Sequence, residues 1–157
     1  MKYTRLTKEQ FEELHPEFIN LLPTQTFDKV EWDNLKIEKP EVAEQELDVF
    51  SDLIWEGVLS RAIYLEHYSK NYIFLFNCFQ NEIQSIVLKS LNPAIDFLTK
   101  EGLQWLDKNI FTETMEIKVG IKQFLEERNK SIFDLIQQGA FLSDGRLFKQ
   151  INGIIDN

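Results

Sequence analysis

An α+β fold is predicted for this 157-residue chain, and three observations carry the prediction. Apolar residues recur at helical spacing through the first sixty positions. A period-2 alternation replaces that spacing between Ile63 and Ser90. Helical spacing then returns from Thr99 onward. The architecture expected is an N-terminal three-helix unit, a three-stranded antiparallel β-meander and C-terminal helices, in a single domain spanning 1–157. A chain of this length buries roughly 70% of its unfolded surface, so its core needs no metal or disulfide.

Met1 to Leu6 is too short to assign. Thr7 reads as a helix N-cap, with Gln10 three residues on as the reciprocal partner of a capping box. Phe11, Leu14, Phe18, Leu21 and Leu22 supply an apolar stripe to about Leu22. Pro16 either kinks this helix or starts a second one after His15. Pro23 to Thr26 is a connector, and a less regular helix is expected from Phe27 to Glu38, with Val30, Trp32, Leu35 and Ile37 as its apolar content.

The stretch Pro40 to Arg61 has the clearest identity. Pro40 suits a first helical position, where a missing N–H costs nothing, and acids follow in the first turn, where the helix dipole favours them. Ala43, Leu47, Phe50, Ile54 and Val58 fall on one arc at about 100° per residue, widened by Val42, Val49 and Leu53. Glu44, Asp48, Asp52 and Glu56 fall opposite, at successive i,i+4 steps. Like charges at that spacing cost roughly 0.2–0.5 kcal/mol per pair, so the stripe is not built for helix stability alone. Trp55 lies inside the acidic stripe, and Glu46 projects into the apolar arc.

After Arg61, Ile63, Leu65 and His67 alternate with Tyr64, Glu66 and Tyr68. Ser69 to Asn71 forms a turn into Tyr72–Phe79, an aromatic, β-rich run that is apolar on both faces and therefore suits a central strand. Gln80 to Glu82 closes a hairpin into Ile83–Ser90. Asn92-Pro93 ends this region. Thr99 caps a short helix, Lys100 to Lys108. Met115 to Val119 fits either a strand or the start of a helix. From Ile121 the residues Phe124, Leu125, Ile132, Leu135 and Ile136 trace a helical stripe that Gly139 stops. Ser143-Asp144 caps a last helix carrying Leu147, Phe148, Ile151, Ile154 and Ile155, which docks on the sheet or the N-terminal helices and can also mediate a homodimer.

Composition narrows the function classes. Seventeen bases against 26 acids give a net charge of −9. Residues 1–60 hold 14 acids and 6 bases, a net of −8; residues 61–157 hold 12 and 11, a net of −1. An acidic balance disfavours nucleic-acid backbones and suits a basic protein partner or cations. No apolar run approaches the ~20 residues of a membrane span, and the N-terminal residues lack a signal-peptide core. One cysteine, Cys78, rules out an internal disulfide and a cysteine-rich zinc site. A cytoplasmic protein with no membrane contact is the expectation.

Four phrases, MKYTRLTKEQ, EKPEVAEQELDVFSDLIWEGV, YLEHYSKN and ERNKSIFDLIQQGA, resemble a family of short, uncharacterised bacterial proteins, common among Bacteroidetes and described only as a domain of unknown function. The resemblance spans most of the chain. It implies a cytoplasmic bacterial protein and supplies no activity, and no functional residues carry over from it.

No phosphate loop, nucleophile elbow, H-E-x-x-H or zinc spacing is present. Neither His15 nor His67 has a partner that marks it as catalytic: Glu66 points to the strand face opposite His67, and His15 suits a helix boundary. Cys78 lies in an aromatic strand with no flanking base, as an inert thiol does. The candidate surface is therefore the stripe of Glu44, Asp48, Asp52, Trp55 and Glu56. It reads either as a solvated face, with Trp55 covered by another part of the chain such as the C-terminal helix, or, being an aromatic among acids, as a partner hot spot. Three functions compete for it. The first is a non-enzymatic interaction or regulatory module that contacts a basic partner. The second is a small metal-dependent enzyme using these carboxylates on a phosphate-containing substrate, although their position opposite the apolar arc would leave a metal hydrated. The third is mimicry of a nucleic-acid backbone. No cofactor is indicated. Glu46 is expected to pair with a base of a facing helix.

Overall fold

Local chemistry at the segment ends accounts for much of what the computed structural model contains. It describes residues 2–7, 9, 10 and 29–155, which divide into two compact units, residues 1–60 and 61–157. In the first, the Thr7 amide donates to Gln10 Oε1 and the Gln10 amide to Thr7 Oγ1, closing the predicted capping box. Glu9 and Gln10 are helical. The remainder of the helix expected to Leu22, with His15 and Pro16, lies outside the described residues. Two helices follow, α1 (Lys29–Glu38) and α2 (Pro40–Arg61). The described part of this unit thus holds two full helices rather than the three expected. Val30 and Ile37 on α1 are exposed. On α2, Ala43, Phe50, Ser51 and Leu59 are buried, whereas Val49 and Leu53 are exposed. The apolar arc is therefore narrower than its hydrophobic residues suggest, and Ser51 extends the buried stripe toward the acidic side.

The second unit is a five-stranded antiparallel sheet with helices: β1 (Tyr64–Tyr68), β2 (Tyr72–Cys78), β3 (Glu82–Ser90), α3 (Lys100–Asn109), β4 (Met115–Gln123), α4 (Arg128–Gln137), β5 (Phe141–Ser143) and α5 (Arg146–Ile155). The sheet order is β4-β3-β2-β1-β5. The expected meander β1-β2-β3 is its centre, with β2 in the middle as the two-sided apolarity of Tyr72–Phe79 requires. Two strands flank it. Met115–Val119 is strand, and it continues through Gln123 because the nine residues of β3 offer a partner along their whole length. This corrects the helical reading of Ile121 onward; α4 starts only at Arg128. The other added strand, β5, has three residues and pairs with Tyr64–Glu66.

Register decides which side chains meet. Ile73 opposes Leu88 and Leu75 opposes Ile86, all four fully buried on one face. Phe97, Leu106 and Ile110 around α3, and Phe148 and Ile151 of α5, pack against them. Burying one such side chain is worth roughly 1.5–3 kcal/mol. The opposite face carries Leu65, Phe74, Phe76 and Ile83, and α4 lies over part of it. At the helix start Arg128 donates from Nε to the Phe79 carbonyl at 2.8 Å and from one terminal nitrogen to the carbonyls of Ala62 and Cys78. Gly139 ends it with φ +115°. The Gly139 amide bonds the Ile136 carbonyl and the Ala140 amide bonds that of Leu135, which is a Schellman motif. A Cβ at Gly139 would lie 3.2 Å from His67 Nε2, so the turn sits directly on that ring. Thr99 Oγ1 accepts from the Gly102 amide at the start of α3, and Ser143 and Asp144 side chains accept from the Gly145 and Arg146 amides before α5, as their sequence positions predict.

Candidate functional site

The acidic stripe of α2 carries an irregular segment of the same unit, Lys2 to Leu6, bent at Tyr3. Asp52 takes consecutive amides on its two oxygens: the Lys2 N–H at 2.7 Å and the Tyr3 N–H at 3.0 Å. Arg5 Nε donates to Asp48 Oδ1 at 2.7 Å. Lys2 Nζ lies 3.5 Å from Glu56 Oε2, and the Tyr3 hydroxyl donates to the same oxygen. Trp55 Nε1 donates to the Thr4 carbonyl at 3.1 Å. The Leu6 amide donates to the hydroxyl of buried Ser51 at 3.0 Å. Tyr3 and Leu6 are themselves buried. Five helix side chains thus engage five consecutive residues, through backbone groups as well as charges.

This arrangement follows from α2 being a helix. Asp48, Ser51, Asp52, Trp55 and Glu56 recur at three- and four-residue steps, so they form one strip along its surface. The like-charge spacing that costs the isolated helix something is balanced by Lys2 and Arg5. Burial pushes the Tyr3 hydroxyl up to about 12, and the Glu56 carboxylate beside it acts in the same direction. The Arg5–Asp48 and Lys2–Glu56 pairs are partly exposed, so each contributes only about 0.2–1 kcal/mol. The paired amide bonds to Asp52 supply the geometry that a charge contact alone lacks.

Of the predicted surface residues, Asp48, Asp52, Trp55 and Glu56 come together around the segment. Glu44 is exposed at the head of the stripe. Trp55 is half-buried, its indole N–H turned to Thr4. Glu46 is half-buried and forms no ion pair with the described side chains, and the first N-terminal helix that could face it lies outside the described residues. Ser51 and Lys2–Leu6 were not legible as part of this site. A serine on a helix is unremarkable in sequence, and a five-residue segment has no periodicity.

The remaining candidates have structural roles. His67 packs on Phe74, with ring centroids 5.8 Å apart. Glu66 is buried on the other face and accepts from the Tyr68 hydroxyl at 2.8 Å. Burial, then Glu66, raises the Tyr68 hydroxyl well above the ordinary tyrosine range. Cys78 is buried, and burial pushes its thiol up to about 11, with nearby Arg128 opposing only part of that. Its thiolate is therefore scarce at neutral pH.

A groove of about 630 Å³ opens on the α4 side of the sheet. Phe76 and Ile83 form its floor, Leu135 and Ser131 come from α4, and Phe124 and Leu125 from the turn after β4. Its size falls in the range of small-molecule sites. Among the described residues, no three His, Cys, Asp or Glu side chains converge as metal ligands, and no helix is long and apolar enough to cross a membrane.

No curated protein matches the chain, and no solved structure does. A family model does match, over residues 1–156, both compact units included, and the chain accordingly belongs to a family of unknown function, DUF6495.

Proposed function

We propose that this protein is a non-enzymatic, cytoplasmic interaction module whose acidic α2 face recognises a short basic segment of a partner protein. One observation supports the reading above the others. That face already accommodates a bent, irregular segment with bases at positions 2 and 5, holding it by two amides on Asp52 as well as by Arg5 and Lys2. A partner segment with the same spacing of bases would meet the same acceptors, in competition with Lys2–Leu6. The segment then acts as an internal placeholder, and binding strength is set by the difference between the two occupants.

The test is titration of an acetylated, labelled Lys-Tyr-Thr-Arg-Leu peptide into the full chain. Binding should weaken as salt rises. Charge reversal at Asp48 and Asp52 together should weaken it by at least about tenfold, the equivalent of 1.4 kcal/mol. Binding that ignores salt and survives both reversals would remove the proposal. The metal-dependent alternative gains nothing from the site, because Asp48, Asp52 and Glu56 are each engaged by the segment. The groove on the α4 side favours a second reading, an amphipathic aromatic ligand seated on Phe76, Ile83 and Leu135. Methyl resonances of Ile83 and Leu135 that stay fixed across a panel of such compounds would dismiss it.

A further inference from the structure

The two edges of the sheet differ. One is β5, three residues long; the other is β4, nine residues long, with residues 118–123 exposed. The ladder to β3 is bracketed by the Leu91 amide on the Thr114 carbonyl and the Phe124 amide on the Asn81 carbonyl. Alternation within that register assigns even-numbered β4 residues to the β3 ladder. Met115, Ile117, Val119, Ile121 and Gln123 therefore turn their N–H and C=O groups away from the sheet. Val119 and Ile121 are 56% and 65% exposed, apolar side chains on an edge that pairs with no further strand among the described residues.

We infer that β4 is a dimerisation edge, pairing antiparallel with β4 of a second copy about Val119. Charge selects the occupant and the register. Outward-facing residues must oppose outward-facing residues, which leaves three central registers. Centring on Lys118 sets that lysine against its own copy. Centring on Gly120 sets Lys118 against Lys122 twice. Centring on Val119 sets Glu116 against Lys122 twice, Lys118 against Gly120, Ile117 against Ile121, and Val119 against itself. Opposite charges and β-branched residues directly across a ladder are the favourable pairs, and like charges are unfavourable. The contact is isologous and closes with two-fold symmetry. Lysines on an edge strand commonly guard it against pairing; here Glu116 neutralises that guard for one partner in one register.

Sedimentation of the full chain across a wide concentration range tests this. The expected result is a concentration-dependent species of twice the monomer mass. Val119→Pro should abolish it while leaving the fold intact, since the proline removes an amide that points away from β3. Lys122→Glu should weaken association by about tenfold, because two attractive pairs become repulsive. Adding Glu116→Lys to Lys122→Glu should restore it. A chain that stays monomeric throughout, or a dimer indifferent to the charge swap, overturns the inference. The charge variants decide the matter if Val119→Pro fails to fold.

Discussion

Residues 1–60 carry a net charge of −8 and residues 61–157 a net charge of −1. The division falls at the boundary between the two compact units. In the first unit the distinctive contacts are polar, partly exposed and long-range: Lys2 to Leu6 reach helix residues 43 to 53 positions away. In the second, a cluster of ten buried hydrophobic residues fills one face of the sheet, supported by strand ladders and local caps. The contrast separates two kinds of sensitivity. Substitutions in the sheet unit act on stability. Substitutions in the α2 seat act on whether the acidic face is covered, at small cost in stability.

The largest expected effect is at Gly102. A Cβ there would lie 1.8 Å from the Asp96 carbonyl oxygen, which belongs to the backbone and cannot rotate away. Gly102→Ala should cost roughly 3–5 kcal/mol, measured by chemical denaturation. Arg128→Ala comes next. It removes donors from the carbonyls of Ala62, Cys78 and Phe79 and should cost about 1.5–3 kcal/mol in the same assay. Either variant leaving stability unchanged would break the contrast from the sheet side.

Asp52→Ala tests the other side. It should cost only about 1 kcal/mol and should accelerate hydrogen exchange at the Lys2 and Tyr3 amides. Unchanged exchange would mean that the segment is not held by this carboxylate. The smallest effect concerns Tyr3. Its hydroxyl titrates at about 12 when seated, against an ordinary value of 10. The folded value is the higher one, so the seat contributes stability in full below pH 10 and loses it as pH rises toward 12. Ultraviolet titration should show both Tyr3 and Tyr68 ionising late, with Glu56→Gln shifting only the Tyr3 step earlier.

Features set by local chemistry are legible in the sequence. The Thr7–Gln10 box, the Thr99 cap and the Gly139 stop each involve residues within about five positions of one another. The two-sided apolarity of Tyr72–Phe79 places β2 at the centre correctly. Features decided by a distant partner are not legible. Ile121, Phe124 and Leu125 have helical spacing, yet β3 draws Ile121 to Gln123 into its ladder. Three residues of β5 have too little length for a period. The acidic stripe was legible, but its occupant was not. The trace it left was the unfavourable like-charge spacing of Asp48, Asp52 and Glu56, with Lys2 and Arg5 as two of only six bases in the first sixty residues.

The central claim is that the α2 acidic face is a seat for short basic segments, held by Lys2–Leu6 until displaced. Fluorescence anisotropy of the labelled Lys-Tyr-Thr-Arg-Leu peptide with the Arg5→Glu chain tests this most directly. The introduced carboxylate would be repelled by Asp48 and Glu44, freeing the seat while leaving its helix residues untouched. The predicted result is tighter peptide binding by Arg5→Glu than by the unaltered chain, and binding lost when Asp48→Lys and Asp52→Lys are added. Equal binding by all three proteins, or none by any of them, would contradict it.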